Sequence, residues 1–149
     1  MVLRLSIILL SLGGLADALY FTLAYYGRIR KAHWVPEIFC ARKGSSCVTV
    51  VRTPYARVFG VPNSLLGIVY YVLLIIWATF VPRYVSISGH VLRPFETLGL
   101  LLFGASVSTV VLAFYLIRAL RRVLHTNCPL CYAAHAINII LFVLLIFVS

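Results

Sequence analysis

The chain has 149 residues, 63% of them hydrophobic and only 11% charged, with a mean hydropathy of +1.07. That balance excludes an ordinary soluble domain, because too little polar surface is left to cover a core in water. The net charge of +10 would suggest nucleic acid in a soluble protein. Here the basic residues lie between apolar runs, where they anchor to lipid headgroups and set topology.

Four apolar runs are long enough to cross a bilayer, which takes roughly 20 residues each. They cover about 5–26, 61–81, 95–117 and 129–148. The expectation is an all-α integral membrane protein: a four-helix bundle, one domain over 1–149, with a long lid-like loop at 27–60. The first run is too long for a signal-peptide core, and Asp17 and Tyr20 interrupt it, so it reads as a retained span. Four spans put both ends of the chain on one side.

Arg4 precedes the first span. Gly13, Gly14 and Ala18 give that span a small-residue surface where a second helix can come close. Asp17 falls near mid-span, where a charge is costly. It is consistent with a protonated acid bonded to a neighbouring helix, or with an acid facing an internal cavity as part of a proton relay. The loop at 27–60 carries seven Lys and Arg together with many apolar and aromatic residues. A loop of that length is usually functional, and its apolar content suggests that it packs down on the bundle. Ser46 near Cys47 and the Thr53-Pro54 pair resemble two short helix starts.

The second span is expected to begin at Val61-Pro62-Asn63-Ser64, with Pro62 in a first turn and Asn63 at its end. Tyr70, Tyr71 and Trp77 read as packing or interfacial aromatics. Residues 82–94 read as a polar turn on the opposite side, with Glu96 just beyond it at the start of the third span. Arg118, Arg121, Arg122 and His125 then close the third loop.

The fourth span opens on Asn127-Cys128-Pro129-Leu130-Cys131. Pro129 suits a first helical turn, with Asn127 or Cys128 as cap. The positive end of a helix favours thiolate over thiol. Cys128, Cys131, His135 and Asn138 then share one helix face, and a polar stripe on an apolar span points into a bundle.

All four cysteines, Cys40, Cys47, Cys128 and Cys131, lie on one side of the membrane and allow three pairings. A Cys-x-x-Cys is also half of a zinc site, but Cys40 and Cys47 lack the usual short ligand spacing. A pair on a loop beside a pair on a helix suits a relay by successive thiolate attacks. At that depth the acceptor of the electrons is expected to be a lipid-soluble quinone. The reading from a different class is a small transporter or channel subunit with structural or metal-binding cysteines.

The order Cys40, Ser46-Cys47, then Phe59-Gly60-Val61-Pro62-Asn63-Ser64-Leu65-Leu66-Gly67, then Cys128-x-x-Cys131 and Ala136-Ile137-Asn138 resembles the vitamin K epoxide reductase family. The resemblance runs over nearly the whole chain. It implies a four-helix bundle around a quinone of menaquinone or ubiquinone type, and a thiol oxidoreductase that generates disulfides. By that likeness Cys40 meets a thioredoxin-like partner, Cys47 exchanges with Cys128, and Cys131 faces the quinone. Asn63 matches an asparagine that bonds a quinone oxygen, and Thr53 a Ser/Thr position in the loop. His135 stands where many members carry a tyrosine; a histidine can bond the other carbonyl and supply a proton. Many bacterial members carry a fused thioredoxin-like domain; this chain stops at Ser149, so a separate thioredoxin-like partner is expected.

Ten Lys and Arg fall on the cysteine side, against Arg4, Arg83 and Arg93 on the other. The positive-inside rule puts the cysteines at the cytoplasmic face. Cytoplasmic disulfides are normal chiefly in hyperthermophiles, and a chain with no Gln, three Asn and one Met fits such a source. A cysteine-accessibility map should label single cysteines placed at Arg57 and Arg121 only from the cytoplasm. Labelling from outside would reverse the orientation.

Overall fold

The computed structural model describes residues 2–28, 50–58, 60–88, 93–125 and 128–148. Four helices dominate: α1 (Val2–Tyr25), α2 (Asn63–Ser88), α3 (Arg93–Arg122) and α4 (Pro129–Val148). Each has a stretch long and apolar enough to cross a membrane, so the fold is the expected all-α bundle. Neighbours round the bundle follow chain order, with α4 closing against α1. The closest pairing is α1 with α2. Large apolar residues such as Leu9, Leu100, Phe114 and Phe147 stay exposed on the outside, which is the surface a hydrocarbon solvent requires.

The ends of the helices have local causes. Gly27 takes φ 68° after α1. Its N–H donates to the Ala24 carbonyl, and the Arg28 N–H donates to the Leu23 carbonyl. That pair of bonds caps the orphan carbonyls of the last turn and needs a residue that tolerates a left-handed backbone. Pro54–Ala56 form a 3₁₀ turn with Thr53 at its N-cap. The Thr53 hydroxyl, however, donates backward to the Val50 carbonyl at 2.7 Å, so it ties the turn to the preceding segment instead of capping it. A two-stranded hairpin follows, β1 (Arg57–Val58) antiparallel to β2 (Val61–Pro62), turning through Gly60 at φ 82°.

That hairpin corrects one boundary. Val61 and Pro62 belong to a strand, and α2 starts at Asn63. Pro62, without an N–H, ends the short ladder naturally. Two other boundaries move as well. α2 runs on to Ser88 and α3 begins at Arg93, so most of 82–94 is helical and only 89–92 falls outside the described residues. Arg118, Arg121 and Arg122 belong to the last turns of α3, not to a loop. Arginine is a good helix former, and cations favour a helix C-terminus.

Two packed clusters set the interior. The larger holds Ile7, Ala18, Tyr70, Tyr71, Leu74, Leu102 and Leu141. The smaller, at the cysteine end, holds Phe21, Val51, Leu120 and Cys128. The small-residue surface of α1 explains its closeness to α2. Ala18 Cβ lies 3.5 Å from where a Cβ at Gly67 would stand, and the Tyr71 ring occupies the space a Cβ at Gly14 would fill.

Tyr71 is buried and hydrogen-bonded, so it cannot swing aside. Gly14→Ala should therefore cost about 1–3 kcal/mol by overpacking. Gly13→Ala, whose Cβ would meet only Ile137 at 3.8 Å, should be close to neutral. Unfolding of the detergent-purified variants compares the two directly.

Candidate functional site

Cys128 immediately precedes α4 and is fully buried. It is joined to Cys131 as a disulfide, with Cα atoms 5.2 Å apart. The Cys131 N–H also points at the Cys128 sulfur, 3.3 Å away. The sulfur thus does what an N-cap side chain does, satisfying a donor in the first turn. Pro129 loses nothing there, since its missing N–H would have had no partner. The Cys-Pro-x-Cys stretch is held both by a covalent bond and by the needs of a helix end.

Below this pair lies a cavity of about 540 Å³. Cys131, His135 and Asn138 line it from α4, Asn63, Tyr70 and Tyr71 from α2, and Gly14, Asp17 and Phe21 from α1. Leu112, Leu116 and Leu120 of α3 form an apolar wall along it. Val50, Val51, Tyr55 and Val58 of the connecting loop cover its cysteine end. The described part of that loop therefore does lie on the bundle. Val51 is buried beside Cys128 and Phe21, the Tyr55 ring meets Tyr115 at 6.3 Å, and the Arg57 guanidinium sits over the Tyr25 ring at 5.5 Å.

Of the residues expected to act, the structure brings Asn63, Cys131 and His135 to one cavity, with Cys128 joined to Cys131. Cys40 and Cys47 lie outside the described residues. His135 is buried in the wall. Thr53 is set in the loop by its bond to Val50.

Sequence reading missed the aromatic half of the site. Tyr70 and Tyr71 are not interfacial. The Tyr71 hydroxyl donates to Asn138 Oδ1 at 2.7 Å, and the Tyr70 hydroxyl is buried with no hydrogen-bond partner among the described residues. A signal was there: Asn63, Gly67, Tyr70 and Tyr71 follow helical spacing and so share a face. Tyr70, Tyr71 and Trp77 all pack in the interior, as one half of the expectation for them had it; the Trp77 indole nitrogen lies 3.2 Å from the position of a Cβ at Gly99. The hydroxyls of Ser108 and Thr109 bond back to carbonyls of their own helix, as such residues do within spans.

A bundle with a disulfide at a helix start, an apolar-walled cavity below it and a few polar groups converging there can exchange thiols on one side and hold a flat apolar molecule on the other. A model of the Vitamin K epoxide reductase family matches residues 5–146. No curated protein matches the chain.

Val51 is the apolar plug over the buried sulfur. After mild reduction, Val51→Ser should raise the alkylation rate of Cys128 by roughly tenfold, because about 1–2 kcal/mol of apolar burial holds the cover closed. Timed maleimide labelling of protein carrying Cys128 as its one cysteine measures it.

Proposed function

The chain belongs to the vitamin K epoxide reductase family and is a membrane thiol oxidoreductase, and on that premise we propose that it makes disulfide bonds by passing electrons from a thioredoxin-like protein to a quinone. The observation that carries the proposal is the Cys128–Cys131 disulfide, with Cys131 lining a cavity in the bundle.

The thiol half of the reaction is ordinary exchange. A reduced thioredoxin-like partner gives up its dithiol to a Cys40–Cys47 disulfide and leaves oxidised. The Cys47 thiolate then attacks Cys128, and Cys131 leaves as thiolate. Attack by Cys40 on Cys47 restores the loop disulfide and frees Cys128. Two electrons have moved from the partner to the pair on α4. Chain length supports this exchange: Val51 follows Cys47 by four positions, so their Cα atoms stay within about 14 Å, and Val51 packs on Cys128.

The cavity suits a quinone ring. Its walls are apolar, its polar groups are few, and one buried carboxylate oxygen, Asp17 Oδ1, has no hydrogen-bond partner among the described residues. When bound, a quinone accepts two electrons and two protons. Cys131, which lines the cavity, would supply the electron pair as its bond to Cys128 re-forms. Asn63, at the start of α2, donates to a carbonyl oxygen and orients the ring. His135 holds a proton near the sulfur end. The apolar loop cover keeps water from the thiolates. With ten of the thirteen basic side chains on its side, this face is the cytoplasmic one.

Membranes supplied with a reduced thioredoxin-like protein should reduce added menaquinone or ubiquinone, and Cys131→Ala should lower that rate at least about 1000-fold. Asn63→Ala should raise KM for the quinone about tenfold, the worth of one hydrogen bond. Undiminished turnover in Cys131→Ala would overturn the reading. Quinone absorbance at saturating thiol follows both.

A further inference from the structure

Two sets of polar groups line the cavity, at two depths. Cys131, Asn63 and Ser64 lie within the first turn of their helices at the cysteine end. Asp17 lies eight residues inside the same end of α1, Tyr71 eight residues inside α2, and Asn138 nine residues inside α4. Counted from their helix ends these positions are about 12–14 Å in, but Tyr71 meets α1 at Gly14 and Ala18 meets α2 at Gly67, so Asp17 stands below Asn63 and about one turn nearer the cysteine end than the Tyr71–Asn138 bond. Tyr71 and Asn138 are bonded to each other, and Asp17 is within electrostatic range of Tyr71.

Asp17 Oδ1 is buried and lacks a hydrogen-bond partner among the described residues. A carboxyl group left so inside a bilayer is expensive and marks a functional site. Among the described residues no Lys or Arg lines the cavity beside it. The state compatible with those surroundings is the neutral acid, which carries a donor that can be directed into the cavity Asp17 lines.

We infer that Asp17 is a catalytic acid: it donates a hydrogen bond and then a proton to the deeper oxygen of the quinone. The inference rests on the proposed quinone chemistry. The electron pair comes from sulfur as the Cys128–Cys131 bond forms. Each ring oxygen gains one proton, the deeper one from Asp17. The carboxylate then recovers a proton released by the two thiols. In balance a dithiol and a quinone become a disulfide and a quinol.

The test uses the full chain in nanodiscs with a short-chain ubiquinone. With the α4 disulfide intact, adding the quinone should shift the infrared C=O band of a protonated carboxyl. The band should be missing in Asp17→Asn and displaced in Asp17→Glu. Asp17→Asn should lower kcat for quinol formation about 100-fold or more, as loss of a general acid does, with KM within about threefold. Reduction of Cys128–Cys131 by dithiothreitol should be unchanged. Asp17→Glu should keep at least about a tenth of the rate. A wild-type band indifferent to quinone, or Asp17→Asn turning over at the wild-type rate, overturns the inference while leaving quinone reduction standing. Wild-type protein that reduces no quinone overturns both. If Asp17→Asn fails to fold, the wild-type band and the Asp17→Glu rate decide.

Discussion

One hydrogen bond spans the bundle. Tyr71 on α2 reaches past Gly14 of α1 to Asn138 on α4, 2.7 Å from oxygen to oxygen. The two helices it joins are diagonal, not adjacent. In a bilayer, where helices gain nothing from hiding apolar faces from one another, such a bond and close small-residue contacts are what select one packing. Gly14 makes the reach possible, since any side chain there would stand in the ring. A ring and an amide bridge the gap at one depth, and the cavity lies between that bridge and the cysteine end, walled largely by leucine and alanine with a few polar groups among them.

The cysteine end works by a different principle. Its helix start is capped by a sulfur, and that sulfur is already in a disulfide. Opening the bond to exchange removes a constraint from the first turn of α4 while the apolar run beyond it stays in place. The loop segment that covers the pair is held by modest contacts: one buried valine, a tilted aromatic pair and a cation over a ring. Interactions of that size can be broken and remade at each turnover. Strong tertiary packing lies deeper, around Leu74 and Leu141, where nothing has to move.

These two halves divide the chemistry. Thiol exchange needs access to a large partner and therefore the membrane surface. Reduction of a lipid-soluble acceptor needs a dry, apolar space with few hydrogen-bonding groups. On the proposed reading the start of α4 serves both needs, because Cys128 packs under the loop and Cys131, three residues on, lines the cavity.

Much of this was legible before any coordinates. Four spans follow from run length alone, since the bilayer requires about 20 apolar residues and tolerates no irregular backbone facing lipid. The inward stripe of Cys131, His135 and Asn138 follows from helical period, and Gly14 announces a close approach. What the chain could not reveal by itself was which partner fills each approach. Periodicity places Tyr71 on a face but cannot tell lipid from cavity, because a tyrosine is at home in either. Nor could it show that Val61-Pro62 pairs as a strand, or that Asp17 lines one cavity with Tyr71 and Asn138. Those facts depend on how antiparallel helices slide past one another, and only tertiary packing sets that register.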